Sequence, residues 1–169
     1  SKMNMVLPIL HYTTNKIVLE IGCNSGIMMW SFLPYVRHLI EIEKNFWHYK
    51  QCTNTYDILR HPYPGKVTTI NSSFGEAFAK NCLTFDVLYA SFVLYHLNDA
   101  EIEILKTKII PKCKTVIFPT RLKERSTQKN SYRLNLSSNI QKLLTECGFV
   151  SDNFHICEEI DMVVGVPKS

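Results

Sequence analysis

Between residues 16 and 119, five apolar runs of strand length alternate with segments whose apolar positions keep helical spacing. A strand, a helix and a second strand laid down in that order return the chain in the same direction, so the pattern builds a parallel sheet covered by helices. The runs are Lys16 to Gly22, Arg37 to Ile42, Lys66 to Asn71, Phe85 to Ser91 and Cys113 to Pro119. Helices are expected from Ser25 to about Tyr35, with Ile27, Met28, Trp30, Phe32 and Leu33 as packing bulk, over Asn45 to Leu59, and over Gly75 to Lys80. The prolines and glycine of His61-Pro62-Tyr63-Pro64-Gly65 stop the second of these. A further helix starts at an Asn98 or Asp99 cap with Glu101 and Glu103 near its positive end. Leu136 to Cys147 forms an amphipathic helix closed by Gly148 in a left-handed cap. Asn153 to Glu158 and Asp161 to Val166 follow so closely on one another that only a hairpin joins them. The expected fold is α/β, a mostly parallel sheet with helices on both faces and a C-terminal antiparallel hairpin.

A length of 169 residues suits one domain over 1–169, with 1–15 an N-terminal extension. No apolar run reaches the roughly 18 residues of a membrane span, and the start lacks the basic and long apolar parts of a secretory signal. A cytoplasmic protein without membrane contact is expected. The first residue is serine, which fits a processed product or a piece of a polyprotein. The six cysteines are scattered without zinc-ribbon spacing, so buried free thiols are expected. His48 and Cys52 share a helix face, but two ligands are too few for a structural zinc, and no metal is expected.

Charge is unevenly spread. From Lys106 to Arg133 nine basic residues face one acid, a balance of +8, while the rest of the chain sums to −4. Such a stretch attracts phosphates. Its core is the connection over 120–135, long enough to be functional.

The turn after the first strand reads VLEIGCNSG, Val18 to Gly26. Glycines between a strand and its helix let backbone approach a ligand and aim helix N–H groups at it. Gly22 and Gly26 stand in such places, and Asn24 between them tolerates positive φ better than other residues with a side chain. Neither GxGxxG nor GxxxxGK[ST] is spelled here, and no lysine follows to reach a phosphate. Glu20 before the turn would repel a pyrophosphate and suits a ligand with an ammonium group. Glu41, 21 residues beyond Glu20, ends the second strand where Rossmann-like folds place an acid for ribose hydroxyls, with Glu43 the competing candidate.

VLEIGCNSG resembles motif I, (D/E)xGxxxG, of the class I S-adenosylmethionine-dependent methyltransferases. Phe85-Asp86-Val87-Leu88-Tyr89-Ala90-Ser91-Phe92-Val93-Leu94-Tyr95-His96-Leu97 is similar to their fourth-strand motif, and LLTECGF to the end of their last helix. The resemblance implies the Rossmann-like class I methyltransferase fold with sheet order 3-2-1-4-5-7-6, and S-adenosylmethionine as cofactor. It also implies that Gly22, Cys23, Asn24 and Gly26 line the methionine moiety, with Glu20 near its amino group. Glu41 would hold the ribose, and the backbone of Ala90 and Ser91 would approach the sulfonium side. Where the family often has an aspartate for adenine, this chain offers Ser73, with Phe74 to cover the ring.

The acceptor is approached by elimination. Ala90-Ser91-Phe92 lacks the acid of ribose 2′-O enzymes, and the (D/N)PP(Y/F), Pro-Cys and double-glutamate signatures of other classes are missing. Acceptors that need little proton removal remain, such as N7 of guanine, or small molecules with a base from elsewhere. Arg121, Lys123, Arg125, Lys129 and Arg133, rising from the fifth strand's C-terminal edge, suit the phosphates of a capped RNA 5′ end. Tyr95, His96 and Tyr132 are candidates for stacking on a base. Guanine-N7 cap methyltransferases resemble this chain in an aromatic and histidine pair after the fourth strand, typically FxLHY, here with the order reversed in Phe92-Val93-Leu94-Tyr95-His96. A minimal viral cap enzyme of nidovirus-like origin, acting in the host cytoplasm, fits the size. The alternatives are a small-molecule N- or O-methyltransferase and a non-catalytic subunit that binds RNA or a partner.

Overall fold

The computed structural model describes residues 2–121 and 129–169. In chain order they form α1 (Lys2–Thr13), β1 (Ile17–Ile21), α2 (Met29–Phe32), β2 (His38–Ile42), α3 (Phe46–Leu59), β3 (Val67–Ile70), α4 (Phe74–Lys80), β4 (Val87–Tyr89), α5 (Asp99–Ile104), β5 (Thr115–Arg121), α6 (Ser137–Glu146), β6 (Phe149–Cys157) and β7 (Ile160–Pro167). The seven strands make one sheet in the order β3-β2-β1-β4-β5-β7-β6. β1, β2 and β3 run parallel, and β7 is antiparallel to both β5 and β6. The expected order and hairpin are therefore observed. No helix of the described residues is long and apolar enough to cross a membrane.

The chain divides into two compact units, residues 6–87 and residues 1–5 with 88–169. In the first, β1 and β2 are buried from their second residue onward, as strands covered on both faces must be. Asn45 caps α3 by accepting from the His48 N–H at 3.0 Å, and Ser73 caps α4 by accepting from Glu76 N–H at 3.2 Å. The helix expected over Ser25 to Tyr35 shrinks to the single turn α2. Gly26 upstream takes a left-handed φ of 78°, and Pro34 downstream has no N–H to continue the ladder. With the helix so short its phase also differs from expectation: Met29, Phe32 and Leu33 are buried, while Ile27 and Trp30 are 59% and 56% exposed.

In the second unit, Asn98 and Glu101 close a capping box at the start of α5. The helix runs on through a π turn at Leu105–Ile109 and a 3-10 turn at Ile110–Lys112, where Pro111 ends it. Gly148 takes φ 77°, the expected left-handed cap of α6. The hairpin is longer than expected because β6 begins at once after that cap, and it carries a bulge between His155 and Cys157. Residues 1–15, given no element by the sequence pattern, contain α1, whose interior Pro8 hides the helix from propensity.

Candidate functional site

In the first unit, the turn after β1 is built on three left-handed residues, Gly22 at φ 74°, Asn24 at 51° and Gly26 at 78°. Asparagine does what the sequence implied it could. Gly22 N–H donates to Ile42 O at 2.9 Å, carrying the β1–β2 pairing to the edge of the turn. Gly26 is required by space as well as φ: an added Cβ would stand 3.1 Å from Met29 Cε and 3.3 Å from Cys52 Cα, so α3 packs against the turn here.

Three acids meet beside this turn. Glu43 is engaged in the fold, its two oxygens accepting from Asn24 N–H and Asn45 N–H at 2.9 Å each. One carboxylate thus fixes the glycine turn and the start of α3, and Asn71 Nδ2 donates to the Glu43 carbonyl at 2.8 Å. Glu41 is the opposite case. It is 1% exposed, and no backbone amide or cation donates to either of its oxygens or to Glu20 Oε1, which is also buried. Glu20 and Glu41 are register partners across β1 and β2, close enough for a hydrogen bond that needs a proton between them. Burial pushes Glu20 up to about 7, against the pull of the Glu41 hydrogen bond and with the charge of Glu43 adding to the rise. Burial, and then Glu20, hold Glu41 well above the usual carboxylate range. Of the two candidates for ribose, both oxygens of Glu43 already hold backbone amides, while those of Glu41 hold none. Cys23 and Cys52, both buried, bring their sulfurs to 3.3 Å. Ser73 spends its hydroxyl on the α4 cap, and Phe74 is buried in the first turn of that helix.

In the second unit, Ala90 is buried and Ser91 half-buried beyond the end of β4. Phe92 follows with φ 56°, a conformation strained for a bulky residue and commonest where function demands it. Its ring lies 5.0 Å under the Arg121 guanidinium at the end of β5. Tyr95 and His96 sit with ring centroids 4.3 Å apart, but Tyr95 is only 3% exposed while His96 is exposed. Asn130 clamps this segment by donating to Leu94 O and Leu97 O at 2.9 Å each, and Lys129 N–H donates to Tyr95 O. Thr120 Oγ1 donates to Asn135 O at 3.1 Å, tying the returning chain to β5.

The basic stretch is not uniformly free. Lys106 Nζ pairs with Glu146 at 3.0 Å, lies 5.2 Å over the Tyr132 ring and donates to its hydroxyl at 3.4 Å. Glu146 first and Tyr132 second hold its ammonium above the usual lysine range. Tyr132 is thereby engaged within the unit, while Arg121 and Arg133 are exposed. Lys123 and Arg125 lie outside the described residues.

No family model matches the chain, and no curated protein matches it in sequence. Solved structures do. An S-adenosylmethionine-dependent methyltransferase from Aquifex aeolicus superposes with a TM-score of 0.74 at 13% identity, over 97% of this chain and 88% of its own. The methyltransferase domain of the bacterial protein CtHen1-CN gives 0.74 at 16% identity, over 98% and 97%. Magnesium protoporphyrin IX methyltransferase from Synechocystis PCC 6803, with S-adenosylmethionine bound, gives 0.73 at 12% identity, over 99% and 80%. The chain has the Rossmann-like methyltransferase fold.

Within this fold the first unit gathers Glu20, Gly22, Cys23, Asn24, Gly26 and Glu41 around one turn. The roles of two residues of that unit escaped the sequence. Glu43 carried a signal as the second acid at a strand end, but its clamping role depends on where Asn24 and Asn45 meet. Cys52 was read only beside His48 on one helix face, because its approach to Cys23 depends on how α3 docks. Asn130 and the backbone of Phe92, in the second unit, were equally silent.

Proposed function

We propose that the chain is an S-adenosylmethionine-dependent methyltransferase directed to RNA, with N7 of the cap guanine as acceptor. The observation that carries the donor assignment is Glu41: a buried carboxylate at the end of β2 with two unpartnered oxygens. A buried acceptor without a donor is costly unless a ligand completes it. Vicinal ribose hydroxyls supply two such donors, and an ammonium group supplies one to Glu20. S-adenosylmethionine brings a methyl group already activated by the sulfonium charge. The chain's own task is then to bind and orient: Glu43 holds the left-handed turn, and Gly22 and Gly26 take the positive φ that lets the turn present its backbone. Holding donor and acceptor in line contributes several kcal/mol, up to about 10. N7 offers a neutral lone pair, so no group has to remove a proton, in keeping with the absence of an acid at Ala90-Ser91-Phe92.

Exposed Arg121 and Arg133, with Lys123 and Arg125 from the same connection, supply the cations for cap phosphates. His96, exposed beside buried Tyr95, is the member of that pair available to stack on a base. Radiolabelled methyl transfer from S-adenosylmethionine to capped RNA tests the whole proposal; label appearing only on small amines or phenols overturns the RNA part. Arg133→Ala should lower the salt slope of RNA binding by about one while leaving donor affinity unchanged.

A small-molecule acceptor is the alternative, favoured by the burial of Tyr95 and by the commitment of Lys106 to Glu146. It expects activity insensitive to salt. Calorimetry with S-adenosylmethionine separates both from a non-catalytic subunit, which expects no binding.

A further inference from the structure

Three elements of the first unit send a metal-ligating side chain to one buried point: Cys23 from the turn after β1, Glu41 from β2 and Cys52 from α3. Their sulfurs and a carboxylate oxygen all lie within 4.8 Å of one another, and the two sulfurs stand 3.3 Å apart. Two thiols alone would pass as small apolar packing. A buried carboxylate beside them that no backbone amide and no cation reaches does not, since the Cys23 thiol and Glu20 can offer it a proton but no counter-charge. The register partner Glu20 adds one more unpartnered oxygen on the same side of the sheet pair.

We propose that Cys23, Cys52 and Glu41 form a binding site for a thiophilic divalent metal of the zinc class, with a water in the fourth position. Thiolate, thiolate and carboxylate is a donor set that tetrahedral zinc accepts, whereas magnesium and calcium take oxygen alone. Zinc-to-sulfur bonds of about 2.3 Å at tetrahedral angles hold two sulfurs roughly 3.8 Å apart, so the pair has to open by only about half an ångström. On binding, each thiol gives its proton to solvent and its sulfur lone pair to the metal, and no redox step is involved. The site goes beyond the proposed methyl transfer and constrains it. Glu41 cannot serve the ribose and the metal together, so the metal competes with S-adenosylmethionine.

The test is a cobalt(II) titration of the reduced, metal-free full chain, read by thiolate-to-cobalt absorption and followed by displacement with zinc. One equivalent of cobalt should raise the band and zinc should abolish it. Cys23→Ala and Cys52→Ala should each leave the signal of a single thiolate at most, and Glu41→Gln should weaken cobalt binding by at least about tenfold. Cys82→Ala, at an exposed cysteine, should change nothing. X-ray absorption of the zinc-loaded wild-type chain should find two sulfur neighbours, which keeps the test decisive if either alanine variant fails to fold. No band in the folded wild-type chain, no sulfur in the zinc shell, or a band that survives both cysteine variants overturns the site. Because none of these readouts uses a methyl donor, a chain that binds cobalt but not S-adenosylmethionine keeps the metal site and loses the proposed function, and the converse result does the reverse.

Discussion

Glu20 and Glu41 face each other as register partners of β1 and β2, both buried, with three of their four oxygens lacking a donor. Burial destabilises the charged form of each; Glu20 adds to that at Glu41, whereas at Glu20 the Glu41 hydrogen bond opposes burial and the charge of Glu43 adds to it. Glu41→Gln keeps the shape and replaces the proton shared with Glu20 by an amide that can donate to Glu20 whatever the pH. The ligand-free variant should gain about 1–3 kcal/mol, the cost of leaving a buried polar group unsatisfied, seen as a higher thermal midpoint. Affinity for S-adenosylmethionine should fall roughly 10- to 100-fold with the loss of bonds to a charged acceptor, measured by calorimetry. Lower stability together with unchanged donor affinity would remove Glu41 from the site.

Glu43 has the contrasting role, because its carboxylate stabilises the fold through the two backbone amides it accepts. Glu43→Ala frees the turn from α3 and should cost about 2–4 kcal/mol, two charge-assisted hydrogen bonds partly offset by solvation. Hydrogen exchange should speed up at the Asn24 and Asn45 amides ahead of the strand centres. If those two amides stay as protected as in the parent, the clamp is not what holds the turn.

The parallel sheet and its closing hairpin were legible in the alternation of strand-length and helical segments, and the strand order came from the resemblance of VLEIGCNSG and the fourth-strand segment to the methyltransferase motifs. Asn24 was legible because few side chains tolerate its φ. What escaped depended on distant docking. Cys23 and Cys52 are 29 residues apart and meet only through the seating of α3 against Gly26. Lys106 looked like a free cation in a +8 stretch until α6 brought Glu146 to it. The exposure of Trp30 followed from a helix of one turn, too short for a 3.6-residue period to have meaning. Nothing in a phenylalanine announces the positive φ of Phe92.

Asp161 supplies the acid limit of the hairpin's stability. Burial alone would raise it, but donors from Asn153, His155 and Ser137 at 2.8, 2.8 and 2.9 Å outweigh that and hold it below its ordinary 3.8. A carboxylate with a depressed folded pKa contributes stability that is present above its unfolded value and is lost as pH falls through its folded value. The thermal midpoint should therefore be flat on this account above about pH 5 and decline below about 4. Asp161→Asn should cost about 1–3 kcal/mol at neutral pH and flatten that acid decline. A variant whose midpoint falls with acid as steeply as the parent's would assign the decline to other carboxylates.

Gly26 and Gly65 separate backbone strain from packing, since both have positive φ, 78° and 70°, but different surroundings. A Cβ on Gly65 meets nothing within 4 Å, so Gly65→Ala carries only the left-handed penalty of about 1–2 kcal/mol. A Cβ on Gly26 meets Met29 Cε, which can swing aside, and Cys52 Cα at 3.3 Å, which cannot without shifting α3. Gly26→Ala should thus lose a further 1–3 kcal/mol or so for overpacking, read as the difference between the two variants' denaturation midpoints. It should also weaken binding of S-adenosylmethionine, because the displaced helix carries Cys52 and the Asn45 cap that Glu43 uses to hold the turn. Equal losses of stability at the two glycines would show that α3 yields freely, and the turn would then owe its shape to Glu43 alone.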